Sequence, residues 1–291
     1  MDLLLEPLHY AIFVRALVAV ALVGTVCAVV GTFVILRGLA FIGDAISHAA
    51  FPGVVVAYLV GAPFYLGAGV AAVGTALATT YIMRRAQLRP DTTIGVLFAG
   101  MFALGIFLYS TIHGYVGDLF AFLVGNVLAI SMADLIGLAV IGIAMLVVIA
   151  ALWKELLYTT FDPLGAAASG LPVERLEYLF LAIVALAIVI SLQAVGIILV
   201  VAMLVTPAAA AQLLSVRFER LVAVAVGISV ASSMLGLYLS FWLDVASGAT
   251  IVLVQTAVFL LVLVFSPRRG LLAHRHPPTA LTPGGTDARP A

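Results

Sequence analysis

The chain has 291 residues, 65% of them hydrophobic and 9% charged, with a formal net charge of zero and a mean hydropathy of +1.30. A soluble domain carries about 25% charged residues, so this composition excludes a soluble enzyme, and the lack of any basic patch excludes a nucleic-acid-binding surface. The chain reads as an integral membrane protein, with the lipid bilayer as its first partner.

Nine apolar spans can be drawn, at 12–36, 45–60, 64–83, 93–111, 132–153, 176–192, 195–214, 221–241 and 248–266. Each is long enough to cross a hydrocarbon core of ~30 Å as a helix, unlike the short alternating strands of a membrane barrel. The expected fold class is all-α, a polytopic transmembrane bundle occupying residues 1–266. An eight-span version, with one weak span lying along the surface, is the alternative. The N-terminus shows no basic segment and no small-residue cleavage site ahead of a short apolar core, so no removable signal peptide is expected.

Arg15 lies near the start of the first span. Cys27, further along it, is the single cysteine, so no intrachain disulfide is available, and a small buried residue is the expectation. Simple alternation of the nine spans places Arg37, Arg84, Arg85, Arg89, Lys154, Arg175, Arg217, Arg220, Arg268, Arg269 and Arg275 on one side of the membrane. The opposite connections, 61–63, 112–118, 192–194 and 242–247, contain no lysine or arginine. Short cytoplasmic loops collect these residues. An outside N-terminus and a cytoplasmic C-terminus are therefore expected, with Arg15 as the exception, close enough to a span end to snorkel.

The second span opens with Gly43 to Ala50, GDAISHAA, which places Asp44 four residues before His48. On a helix these share one face. Ionisable groups inside membrane spans are costly and usually line a substrate or ion path. Oxygen and nitrogen donors together suit Zn²⁺, Mn²⁺ or Fe²⁺ better than Mg²⁺ or Ca²⁺. Two ligands leave a coordination shell incomplete, but a symmetric homodimer would bring two aspartates and two histidines to one site. The competing account is local: Asp44 answers the helix dipole and His48 hydrogen-bonds nearby.

Asp91 stands at the inner end of the fourth span, where an N-cap role is the expectation. His113 and Asp118 fall on the next outer connection, as weaker candidates for receiving an incoming cation at the outer mouth. The stretch 118–130 is apolar but broken by Gly125 and Asn126, which reads as a short helix or re-entrant piece. Asp134 and Asp244 are interfacial.

The longest inner connection runs from Lys154 to Arg175. Asp162 can cap a short helix with Pro163 at its first position, and Gly170 followed by Pro172 ends it. A small-residue helix of this kind, over 162–170, is suited to docking in the groove of another protein. Further on, Thr206 and Pro207 interrupt the seventh span, where the proline frees a carbonyl and kinks the helix. The tail 267–291 is rich in proline, glycine and threonine and is expected to be disordered. Its His274 and His276 make at most a weak metal site.

The only lysine, Lys154, is followed by Glu155, so no phosphate-binding loop is present. A serine-hydrolase elbow and a HExxH zinc motif are also missing. This chain therefore cannot hydrolyse ATP by the phosphate-loop route, and no catalytic residue is expected here.

Several ordered blocks resemble the membrane subunits of bacterial zinc/manganese/iron ABC importers: LRGLAFIGDAISHAAFPG over 36–53, DTTIG over 91–95, FALG over 102–105, and Asp118 and Leu119 with Gly125. The blocks continue with Asp162 and Pro163 with Ala166 and Gly170, then LQAVG over 192–196 and TPAA over 206–209. Pro90 departs from the pattern, where many relatives carry a second acidic residue. The resemblance implies a homodimeric permease related to the type II ABC importers, in the bacterial plasma (inner) membrane. Its partners would be two separate ABC ATPase subunits and an extracytoplasmic metal-binding protein. It further implies that Asp44 and His48 coordinate the transported metal, that Asp162, Pro163, Ala166 and Gly170 belong to the coupling helix, and that no cofactor is permanently bound. A proton- or ion-coupled secondary transporter is the alternative, with Asp44 and His48 as a proton relay.

Overall fold

The structure, a computed structural model, describes residues 6–112 and 127–266. His113, Asp118, Gly125, Asn126 and the tail 267–291 lie outside the described residues, so the outer-mouth candidates and the expected tail are not seen.

Among the described residues the chain is helical throughout, and nine of its helices have membrane-spanning length and hydropathy. After a short 3₁₀ turn at Glu6–His9 come α1 (Ala11–Leu36), α2 (Ile42–Val60), α3 (Phe64–Ala86) and α4 (Pro90–Ser110). A 3₁₀ turn at Val127–Ala129 precedes α5 (Met132–Ala151), and two short helices follow, α6 (Trp153–Phe161) and α7 (Pro163–Ala168). The last four are α8 (Val173–Val195), α9 (Ile197–Leu214), α10 (Phe218–Leu243) and α11 (Ser247–Phe265).

α1 is the hub. Ala16, Ala19, Val20, Val23, Cys27, Val30 and Phe33 are all buried along it, where it packs against α9, α10 and α5. α2, α3 and α4 form a second group, which α8 joins to α1. Cys27 is buried beside Ser191, Sγ to Oγ 3.7 Å, as a small core residue.

Lipid tails are as apolar as leucine, so membrane helices associate through small residues that let backbones approach. The crossing of α2 and α3 is built this way. Gly53 and Ala57 face Gly67 and Ala71, and a Cβ on either glycine would run into the backbone carbonyl of the other. A larger residue there cannot be relieved by a rotamer change. Gly53→Leu is expected to cost about 1–3 kcal/mol or more, read as a lower Tm of the purified chain; an unchanged Tm would contradict so close a crossing.

Several polar side chains in the spans are satisfied locally. Thr32, Ser47, Thr75, Thr79 and Thr80 each donate to the carbonyl four residues earlier, at 2.7–3.0 Å, which lets hydroxyls sit in an apolar interior. Ser131 and Asp134 close a reciprocal capping box at the start of α5. Pro207 lies buried inside α9, where the sequence places it.

Two details differ from expectation. Asp91 is not the N-cap of α4: the helix starts at Pro90 with Arg89 in the cap position, and Asp91 occupies the first turn, where its charge still favours the helix dipole. The inner connection from Lys154 is also mostly helical. Leu152 departs from helical geometry and ends α5, but Trp153 packs edge-on against Phe33, 5.7 Å between centroids, and tilted against Phe218 at 5.1 Å, so the chain turns into α6.

Candidate functional site

α2 begins tightly packed. Leu39 N–H donates to the Val34 carbonyl and Gly38 N–H to that of Ile35, the paired bonds of a Schellman turn closing α1, with Gly38 at φ +70°. Gly43 lies against α9, since a Cβ there would stand 2.8 Å from the Leu204 side chain, and Ser47 is fully buried. This buried face fixes the rotation of α2 and leaves Asp44 and His48 on another side.

The pair shares one face. Asp44 Oδ1 stands 3.5 Å from His48 Nε2, with the Asp44 side chain 46% exposed and that of His48 26% exposed. Two donors bound to one ion at ~2.1 Å and a tetrahedral angle stand about 3.4 Å apart, so the separation already suits a shared cation. At ~1.5 Å of rise per residue the pair lies about 3 and 9 Å along α2 from its start, in the half of the span nearest Arg37.

Two aromatic rings from α4, unmarked in the sequence, hold the imidazole. Phe98 and Phe102 stack on each other with an interplanar angle of 6°, and His48 meets each edge-on at 5.2 and 5.0 Å. Both phenylalanines recur at helical i, i+4 spacing, but spacing within α4 does not reveal which side chain of α2 they face. They restrict the ring and cover one side of it with apolar surface. Among the described residues no group of three or more histidine, cysteine, aspartate or glutamate side chains gathers, so Asp44 and His48 stand here as a pair.

The second candidate segment lies at the end of the bundle that carries Arg37 and Arg84. Asp162 caps α7, its Oδ1 accepting from Gly165 N–H at 2.8 Å, and Pro163 takes the first helical position. Gly170 follows in the left-handed region at φ +82°, which stops the helix. Ala166 is fully buried against the bundle. The bulkiest exposed side chain of α7 is Leu164, 82% exposed, beside the exposed Ala167 and Ala168 and on the rim of an open groove of about 880 Å³ bordered by Arg84, Pro172, Glu174 and Tyr178.

Membrane-length helices that hold a carboxylate and an imidazole together inside a span, with a short capped helix projecting at one end, have the build of a membrane permease. The sequence model of the ABC 3 transport family matches residues 9–266, and the chain belongs to that family. It is 47% identical to the manganese transport system membrane protein MntC of Halalkalibacterium halodurans, over 92% of this chain and 91% of that one. It is 40% identical to the chelated iron transport system membrane protein YfeC of Yersinia pestis, over 97% and 98%. Among solved structures, PsaBC from Streptococcus pneumoniae in complex with Fab superposes with a TM-score of 0.81 at 36% identity, covering 92% of this chain and 96% of that one.

Proposed function

We propose that the chain is the permease subunit of an ABC importer for a divalent transition metal ion, Mn²⁺ or Fe²⁺ ahead of Zn²⁺, with Asp44 and His48 as the ligands it lends to the passing ion. The observation that carries this reading is the 3.5 Å carboxylate–imidazole pair inside a membrane span. Support comes from similar proteins that are named as membrane proteins of manganese and chelated-iron transport systems.

Two copies of the chain would complete the coordination shell from their two half-sites. The end of the bundle with Arg37, Arg84 and α7 faces the cytoplasm in this reading, by the preference of cytoplasmic loops for basic residues. ATPase subunits dock on α7 there. A metal-binding protein delivers the ion from the other side, and the permease itself hydrolyses nothing. Alternating access then follows from ATP-driven movement at α7. A pair that binds loosely releases the ion inward, because conduction requires binding weak enough to leave.

The test is uptake of radioactive Mn²⁺ into proteoliposomes holding the permease with its ATPase and binding-protein partners. Uptake is expected to need ATP and to survive collapse of the proton gradient. Uptake without ATP that stops when the gradient collapses would replace this reading with a secondary transporter.

A further inference from the structure

Arg37 is drawn inward at the arginine end of the bundle, where two of its three guanidinium nitrogens are hydrogen-bonded. Its Nε donates to Thr160 Oγ1 at 3.0 Å, and one terminal nitrogen donates to Thr159 Oγ1 at 3.2 Å and to the Leu156 carbonyl at 3.4 Å. The guanidinium carbon sits 4.1 Å from the centre of the Phe180 ring. Burial lowers its pKa to about 10, with the Glu177 carboxylate opposing that shift, so it stays cationic at neutral pH. Glu177 in turn accepts from Arg84 Nε at 2.9 Å.

Arg37 and these partners join three elements. Thr159, Thr160 and Leu156 are on α6, Phe180 is on α8, and Arg37 itself caps α1 in the turn that leads to α2. Only Asp162 separates α6 from α7. On the other side Arg37 is seven residues from Asp44, across a Schellman turn held by two backbone hydrogen bonds. A planar guanidinium holds its donors in a fixed fork, so less freedom is lost per hydrogen bond formed than with a flexible ammonium. A cavity of about 320 Å³ bordered by Arg37, Thr160, Pro163 and Glu177 leaves room for α6 and α7 to shift against the junction.

We propose that Arg37 is a positioning residue that links the α6–α7 segment mechanically to the turn leading into α2, the helix that carries Asp44 and His48, so that movement at α7 changes the geometry of the metal pair. This rests on the importer reading above, in which α7 receives the ATPase. Phe33 backs the junction from α1, with Trp153, Phe180 and Phe218 around it at 4.9–6.0 Å between centroids. The strut is therefore anchored to the core at one end and to α6 at the other.

The experiment uses the complete transporter in proteoliposomes and measures Mn²⁺ imported per ATP hydrolysed, together with complex yield. Arg37→Gln removes the charge and the fork. Thr160→Val removes the acceptor while keeping the shape, and it touches neither metal nor ATPase. Both are expected to keep ATP hydrolysis within about twofold of wild type and to lower Mn²⁺ imported per ATP at least tenfold, with Arg37→Lys in between. Unchanged ions per ATP in an assembled Thr160→Val transporter would overturn the proposal. So would a parallel loss of hydrolysis, uptake and assembly in both variants, which marks a merely structural role. If Arg37→Gln does not assemble, Thr160→Val alone decides. A wild-type complex that imports no Mn²⁺ with ATP would defeat the importer reading itself, a different outcome from either of these.

Discussion

Alanine at Asp44 or at His48 is expected to reduce ATP-dependent Mn²⁺ uptake at least ~100-fold, while the chain still folds and still co-purifies with its ATPase partners. The size follows from the ligand count. Changing residues that merely orient a metal ligand already costs about 10- to 100-fold, and in a half-site of two each deletion removes half of what one chain supplies. Folding is spared because both side chains are partly exposed. Phe102→Leu gives a graded companion result. Phe102 meets His48 edge-on at 5.0 Å without offering a donor atom, so its loss should weaken Mn²⁺ affinity by about tenfold or less and leave uptake measurable at high Mn²⁺. Uptake at wild-type level in both alanine variants would remove Asp44 and His48 from the pathway.

How much of this was open to a reader of the sequence depends on whether the signal is local. The spans are legible because a bilayer imposes length and hydropathy on each one separately, and nine helices of that kind stand among the described residues. The Asp44–His48 pair is legible because i, i+4 neighbours on a helix meet whatever else the fold does. The Asp162–Pro163 start and the Gly170 stop are legible for the same reason, since capping is written within a few residues. What failed was tertiary. Phe98 and Phe102 look like ordinary apolar residues of α4 until α2 is laid beside them. Arg37 reads as a marker of sidedness, because a loop arginine beside a span end gives no sign that two other elements converge on it. The α6 helix was hidden by the break at Leu152, which depends on Trp153 finding Phe33 and Phe218. On α7 the small residues drew notice, and Ala167 and Ala168 are exposed; that Ala166 faces the bundle while Leu164 faces out is visible only in the fold.

Leu164→Asp is expected to detach the ATPase. Leu164 is 82% exposed at the tip of α7, so its side chain contributes little to the fold of this chain. Its apolar surface gains only when another protein covers it. A truncated apolar anchor at the centre of an interface costs about 2 kcal/mol or more, equivalent to ~30-fold in affinity, and an aspartate adds the desolvation of a charge. ATPase co-purification should fall by that factor and uptake with it, while the Tm of the permease alone stays within a degree or two. The neighbouring positions are poorer probes, for reasons visible in the structure. Asp162→Ala removes the bond to Gly165 N–H and frays the helix by about 1 kcal/mol, and any side chain at Gly170 is strained at φ +82°. Both would lower coupling by damaging α7 itself. Leu164→Asp leaves the cap, the stop and the buried Ala166 in place, so a loss of ATPase binding there reports on the docked face alone. A Leu164→Asp transporter that holds its ATPase and imports at the wild-type rate would show that docking bypasses α7.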